Sequence, residues 1–326
     1  MTLRPFAGLR LAIAAAVCAG IFPTTQVLAG SQMTATRAAL TTVSPQATQI
    51  GLRVLKEGGN AIDASVAVAF ALVVSHPQAG NLTGGGFLVY YDAKTKAVWT
   101  LDFRETAPLA AKRTMYVQKD GTISNQSKTG PMASAVPGTV AGLDEMYRKF
   151  GTRPWKSLIA PSIALARQGF ITDAELTVDL HESQATRKID QFASTSTLFY
   201  PNGKPLPAGS TLIQRDLSNV LERIATKGAA DFYQGDTATR LVEGMRAGGG
   251  ILSFRDLRDY RAIWRSPIRI SFRNYQLYTM APPSAGGLVM GEALNILSGF
   301  DLDKLPFQSA EAIHLLAEAE RKRKAR

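Results

Sequence analysis

Residues 80–91 read GNLTGGGFLVYY, and residues 97–105 read AVWTLDFRE. The apolar run after the glycines predicts a buried strand, and the second stretch predicts a strand that returns antiparallel after a hairpin loop over Asp92–Lys96. Glycine has no Cβ, so Gly84–Gly86 can adopt a positive φ and can let a ligand or another strand approach closely. The pattern therefore predicts a β-hairpin that begins at a glycine-rich turn.

This hairpin would place Arg104 at the end of its second strand, beside the glycine turn. A guanidinium fixed there can bind a carboxylate through two parallel hydrogen bonds. The alternative is that the glycines only shape a bulge and that Arg104 forms an ion pair with Asp102 or Glu105. The residues alone leave both interpretations open.

Two helices are predicted before the hairpin. Ser44 and Pro45 have the residue types of an N-cap and a first helical position, and Gly58-Gly59 follows as a helix stop. Asn60 then caps the next helix, with Asp63 at its third position. Residues 61–74 are apolar on nearly all sides, which predicts a helix buried in the middle of a layered core.

The remaining pattern predicts α+β layers, because helices and strands do not alternate strictly. No internal repeat and no linker marks a domain boundary. Ser284, after two prolines, is interpreted as a helix N-cap and not as a nucleophile. Further helices are predicted over residues 140–150, 155–168, 174–187, 216–226, 237–247 and 286–297, a strand over 38–43, and an antiparallel pair over 267–272 and 275–280.

Eight short blocks occur in an order that resembles the large subunit of bacterial γ-glutamyltransferases (γ-glutamyltranspeptidases, glutathione hydrolases). Small departures from the family pattern occur at Ser65, Thr83, Ala281 and Ala285. The blocks are LKEGGNAIDA (55–64), HPQAGNL (76–82), DFRE (102–105), PGTVAG (137–142), GFI (169–171), DFYQG (231–235), APPSAGG (281–287) and LAEAE (316–320).

The resemblance implies an N-terminal-nucleophile hydrolase with αββα layers, of which this chain supplies the large-subunit part and leaves the sandwich incomplete. Family members are made as one precursor that cuts itself, so that a threonine becomes the first residue of a small subunit and attacks the γ-glutamyl amide. Here LAEAE is followed by RKRKAR at 321–326. We therefore expect a chain truncated before the catalytic threonine, with no catalytic residue of its own and without the small subunit that the family would pair with it.

The implied function is γ-glutamyl transfer and the hydrolysis of glutathione and other γ-glutamyl amides. Arg104 is the one substrate-binding residue that can be transferred from the family, as the partner of the glutamyl α-carboxylate. No cofactor is expected. Two other possibilities stay open: a non-catalytic product, either a truncated fragment or a periplasmic binder of amino-acid-like ligands, and an acylase of the same architecture that acts on β-lactam side chains.

The N-terminus has the pattern of a secretory signal peptide over residues 1–29, followed by the large-subunit-like domain over 30–326. Arg4 and Arg10 precede an apolar run over residues 11–22 that Pro23 ends, and Val27-Leu28-Ala29 offers small residues before Gly30. This run is too short for a stable membrane anchor. Cys18, the one cysteine, would leave with the signal, which fits a periplasmic or secreted bacterial protein.

The remaining chemistry points away from metals and nucleic acids. His76, His181 and His314 are far apart and have no acidic partners at metal-ligand spacing, so no metal site is expected. His76 is interpreted as a polar cap at a helix end. The formal charge is +11, but five of these charges lie in the last six residues, so the excess is mostly a basic tail and not a nucleic-acid-binding face.

Overall fold

The computed structural model describes residues 34–324, and side chains only as far as Arg321. The chain divides into two units, residues 1–39 and 40–326. Of the first unit only 34–39 are described, and they are exposed and contain no helix or strand. The predicted signal peptide and Cys18 lie outside the described residues.

The second unit mixes helices with short strands. Its helices are α1 (Pro45–Lys56), α2 (Ala61–Ser75), α3 (Thr139–Phe150), α4 (Trp155–Gln168), α5 (Ala174–Arg187), α6 (Ala193–Phe199), α7 (Arg215–Lys227), α8 (Ala229–Gln234), α9 (Asp236–Ala247), α10 (Phe254–Asp259), α11 (Gly286–Leu297) and α12 (Ala310–Lys324). Its strands are β1 (Phe87–Asp92), β2 (Ala97–Asp102), β3 (Phe170–Ile171), β4 (Thr211–Leu212), β5 (Ile263–Arg265), β6 (Ile268–Phe272) and β7 (Tyr275–Thr279). This content confirms the predicted α+β class.

Local capping explains where α1 and α2 begin. The Ser44 hydroxyl accepts a hydrogen bond from Ala47 N–H, and Pro45 occupies the first helical position, as predicted. Asn60 and Asp63 form a reciprocal capping box at the start of α2. Helix α2 packs against α1, α3 and α4, so the chain's own helices bury its apolar surface.

The predicted hairpin forms the centre of a three-stranded sheet. β1 pairs antiparallel with β2 in the register Phe87 to Asp102, and β5 joins the other edge of β2. One face of this sheet carries Tyr90, Trp99 and Trp264, whose rings contact Phe150 of α3 at centroid distances of 4.9–5.9 Å. That face is therefore closed by aromatic packing.

The opposite face of the same sheet is partly exposed. Val89 and Ile263 are each 48% exposed and Tyr91 is 58% exposed, although strand alternation places them where a second layer would pack. Part of the apolar surface of this sheet is thus uncovered, whereas most apolar side chains of α2 are buried.

A smaller apolar cluster lies near the end of the chain. Ala293 and Leu297 of α11 pack with Ala319 of α12, and Phe272 of β6 contacts this cluster. The pairing of β6 with β7 was predicted. The basic run at the end of the sequence begins inside α12, where Arg321 forms an ion pair with Glu318.

Two local predictions were wrong. Residues 38–43 form no strand. Helix α11 has Ala285 as its N-cap and no side-chain cap hydrogen bond, so Ser284 does not cap it. Six short elements were not predicted, α6, α8, α10, β3, β4 and β5, because segments of two to seven residues carry too little periodicity to be recognised. The longer helix α12 was not predicted either.

Candidate functional site

The site is built around the end of β2. β2 ends at Asp102, and Arg104 follows two residues later as an exposed side chain. The hairpin ladder continues one step past the strands, because Phe103 and Gly86 exchange two backbone hydrogen bonds of 3.0 and 3.3 Å. Pairing therefore brings Arg104 beside the glycine turn, as the sequence predicted.

The glycines of this turn act through close contact and not through backbone conformation. None of Gly84–Gly86 has a positive φ. A Cβ on Gly85 would lie 2.5 Å from the Phe103 carbonyl oxygen and 2.9 Å from the Arg104 Cα, and one on Gly86 would lie 2.8 Å from the Phe103 ring. A larger residue at Gly85 would therefore displace the backbone that carries Arg104.

The PGTVAG block docks onto the same turn. The Gly84 carbonyl accepts hydrogen bonds from the backbone N–H groups of Gly138 (2.7 Å) and Thr139 (3.0 Å). A Cβ on Gly138 would collide with the Phe103 carbonyl and the Tyr260 hydroxyl. Two sequence blocks more than fifty residues apart thus form one wall of the site.

Arg104 is not held in an ion pair by its acidic neighbours. The Asp102 carboxylate accepts from Arg265, whose Nε and Nη2 lie 2.8 and 2.7 Å from Oδ2. It also accepts from the backbone N–H of Arg104 at 3.0 Å. Within residues 34–324, the Arg104 guanidinium has no hydrogen bond or ion pair of its own. The alternative in which Arg104 pairs with Asp102 or Glu105 is therefore not what the structure shows.

Arg104 lines a cavity of about 620 Å³. Its walls come from the glycine turn, from the segment 133–137, and from α9 and the loop that follows it. The lining residues are Asn81, Thr83, Gly84, Arg104, Glu105, Ala133, Ser134, Ala135, Pro137, Leu241, Met245 and Leu252. Among the described lining residues, Arg104 is the one cation that a small anionic ligand would meet, and the carboxylate of Glu105 is next to it in sequence.

A second cavity of about 710 Å³ shares part of this wall. Asn81, Thr83 and Leu241 contribute to both cavities. The second cavity is mainly apolar, with Phe199 and Phe232 among its lining residues. The loop before the glycine turn thus lies between a space of mixed polarity and a mainly apolar one.

The Arg104 backbone is hydrogen-bonded to Tyr260, which stacks on a second tyrosine. The Tyr260 hydroxyl donates to the Arg104 carbonyl at 2.8 Å. Its ring stacks on Tyr233, with centroids 6.0 Å apart and an interplanar angle of 7°. Sequence reasoning missed Tyr260 and Arg265, because each lies more than 150 residues from its partner and neither belongs to a motif.

The other residues considered from the sequence lie elsewhere. His76 is the C-cap of α2, as predicted, while His181 lies in α5 and His314 in α12. Asp63 is buried in the capping box. Among the described residues, no group of three or more histidines, cysteines or acidic residues could hold a metal ion, and no helix is long and apolar enough to cross a bilayer.

The sequence profile of the γ-glutamyltranspeptidase family matches residues 47–326. The chain belongs to this family. The glutathione hydrolase proenzyme of Escherichia coli K12 is 43% identical over 280 residues, which cover 86% of this chain and 48% of that protein. The acylase ACY 1 proenzyme of Pseudomonas sp. V22 is 37% identical over 293 residues, which cover 88% of this chain and 52% of that protein.

Solved structures support the same assignment. The γ-glutamyltranspeptidase of Helicobacter pylori superimposes with a TM-score of 0.85 at 38% identity, covering 89% of this chain and 83% of that one. The predicted family, fold class and enzyme class of the family are thereby confirmed. The chain spans about half the length of the curated relatives that it matches.

Proposed function

We propose that this chain forms the large-subunit half of a γ-glutamyl hydrolase and transferase, and that Arg104 binds the α-carboxylate of the γ-glutamyl donor. The observation that carries this proposal is the Arg104 guanidinium, which lines the 620 Å³ cavity and has no partner among the described residues. A carboxylate is the ligand whose geometry matches the two parallel donors of a guanidinium. Glutathione and other γ-glutamyl amides carry such a group.

The nucleophile belongs, in this proposal, to the half of the relatives that this chain does not match. A threonine there attacks the γ-glutamyl carbonyl, its own α-amino group serves as the base, and the acyl group passes to water or to an amine. Arg104 contributes by fixing the other end of the glutamyl group, so that the carbonyl is presented in one orientation. The chain alone should therefore have no turnover.

The predicted processing belongs to the same proposal. Residues 1–29 would direct export and be removed, and residues 30–326 would form the large-subunit region of a periplasmic or secreted enzyme. The support is the sequence pattern, together with the bacterial glutathione hydrolases to which the chain is similar.

The test uses a complete proenzyme, made by joining this chain to the C-terminal half of the E. coli relative where the similarity ends. We expect this hybrid to mature and to release the chromophore of a γ-glutamyl anilide. Arg104→Lys should raise KM for this substrate strongly, because lysine cannot form two parallel N–H···O bonds with the carboxylate. The expected loss of binding free energy is roughly 2–3 kcal/mol. A 4-aminobutanoyl anilide, which lacks the α-carboxylate, should be a poor substrate that is nearly indifferent to the substitution.

Arg167→Lys is the matched control, because Arg167 is an exposed arginine in α4 that pairs with Glu222. It should leave both substrates unaffected. An equal loss on both substrates in Arg104→Lys, or failure of that variant to mature, would show that Arg104 is structural.

Two other functions remain as outcomes of the same experiment. The Pseudomonas acylase is a relative at 37% identity, so a hybrid that cleaves β-lactam side-chain amides but not γ-glutamyl anilides would identify an acylase. A hybrid that matures without cleaving either substrate, while this chain binds L-glutamate in calorimetry, would indicate a binding protein. We place γ-glutamyl transfer first because the free cation at Arg104 matches the glutamyl carboxylate.

A further inference from the structure

Arg104 is held at its backbone and not at its side chain. Its N–H donates to Asp102 Oδ1 at 3.0 Å, and its carbonyl accepts from the Tyr260 hydroxyl at 2.8 Å. The side chain itself is exposed and without a partner among the described residues. These two hydrogen bonds therefore fix the backbone from which the Arg104 side chain extends.

Tyr260 is itself fixed. It follows α10, it is only 8% exposed, and its ring stacks on Tyr233. The Tyr233 hydroxyl donates to the Pro137 carbonyl and accepts from Ala141 N–H, both at 3.0 Å. Since Pro137 also lines the cavity, the tyrosine pair connects the Arg104 carbonyl to a second part of the cavity lining.

Tyr260 can serve as a donor over the whole working range of pH. Burial, with smaller contributions from the Asp102 and Glu105 charges, raises the pKa of Tyr260 above its ordinary value. The phenol therefore keeps its proton, and the Arg104 carbonyl keeps its hydrogen bond.

We propose that Tyr260 is a positioning residue for the Arg104 carboxylate clamp. It touches no reacting atom and acts only through the Arg104 backbone. This inference rests on the proposed function of Arg104, and it adds a second residue to the donor site, 156 positions away in the sequence. It requires that the loss of one hydroxyl weakens the binding of donors that carry the α-carboxylate.

The test is Tyr260→Phe in the hybrid proenzyme, because phenylalanine keeps the ring stack and removes only the donor. For the γ-glutamyl anilide we expect KM to rise about fivefold, the scale of one neutral hydrogen bond, and kcat to change by less than about twofold. The 4-aminobutanoyl anilide should show no change. Tyr200→Phe is the matched control, because Tyr200 is a buried tyrosine whose hydroxyl donates at 2.8 Å to Leu180, away from the cavity.

A double-substitution cycle distinguishes the positioning role of Tyr260 from the carboxylate-binding role of Arg104. In an Arg104→Met background, Tyr260→Phe should have no further effect on KM, since a residue that acts through Arg104 has nothing left to position. If Arg104→Lys discriminates between the two anilides but Tyr260→Phe does not, the positioning role is wrong and the clamp stands. If neither variant discriminates, the clamp itself is wrong, and the positioning role falls with it.

Discussion

Asp63 and Arg104 are two charged side chains in different surroundings. Asp63 is completely buried, and its carboxylate accepts four hydrogen bonds, from Asn60 N–H, from the N–H and hydroxyl of Thr152, and from Arg153 N–H, at 2.6–3.1 Å. Arg104 is exposed, and within the described residues its guanidinium has no bond at all. The first charge joins the start of α2 to the loop before α4, whereas the second bonds to none of the residues that the structure describes.

The difference separates a structural charge from a charge that is available for binding. A buried carboxylate is tolerated only when hydrogen bonds compensate its desolvation, so its partners are part of the fold. An exposed guanidinium at a cavity wall carries no such cost and keeps its donors for a ligand.

Asp63→Ala should lower the free energy of unfolding by about 3 kcal/mol, because it leaves several buried donors without an acceptor. Urea unfolding of the chain, followed by circular dichroism, measures this change. Ser65→Ala is the control on the same helix, since the Ser65 hydroxyl is exposed and donates only to the Ala61 carbonyl. If both substitutions lower the free energy of unfolding equally, the Asp63 hydrogen bonds do not stabilise the fold.

The contribution of Asp63 should also depend on pH. Burial alone would raise the pKa of this carboxyl, but the hydrogen bonds from Thr152, Asn60 and Arg153 outweigh it and hold the pKa below its ordinary value of 3.8. Its stabilising effect is therefore complete above pH 3.8 and is lost as the pH falls through the lower, folded-state pKa. Urea titrations between neutral and acid pH should show a smaller acid-dependent loss in Asp63→Asn than in the wild type; equal losses would assign the acid sensitivity to other groups.

Arg104→Met should change the free energy of unfolding by less than about 0.5 kcal/mol, because no described residue loses a partner of the side chain. The measurement is the same urea titration. A small effect on stability, set beside the large effect of Arg104→Lys on KM, would indicate a residue that binds substrate and does not hold the fold. A destabilisation comparable to that of Asp63→Ala would make Arg104 a residue of the fold and would remove the basis for the clamp.

The sequence predicts only part of the surroundings of Asp63. The capping box at Asn60 and Asp63 follows from residue types three positions apart, so the sequence predicts it without a structure. The second half of the same site, the Thr152 and Arg153 donors, lies about ninety residues away and has no local signal. Local rules thus identify the cap but not its burial against another loop.

The same division applies around Arg104. Strand alternation and the loop at Asp92–Lys96 were enough to predict the hairpin and to place Arg104 beside the glycine turn. The predicted reason for the glycines was only half right: close approach is required, but positive φ is not. The reason is a contact between Gly85 and the backbone after β2, which appears only when the strands are paired.

What the sequence determined by itself is the set of strong local elements, the order of motifs that identifies the family, and the one arginine at the end of β2. The tertiary structure alone decided that Arg265 binds Asp102, that Tyr260 donates to the Arg104 carbonyl, and that the Arg104 guanidinium has no partner in the described part of the chain. The physical reason is the separation in sequence between the residues that interact. Caps and hairpins depend on neighbours within a few residues, whereas an ion pair or hydrogen bond across more than 150 residues depends on how the whole chain packs.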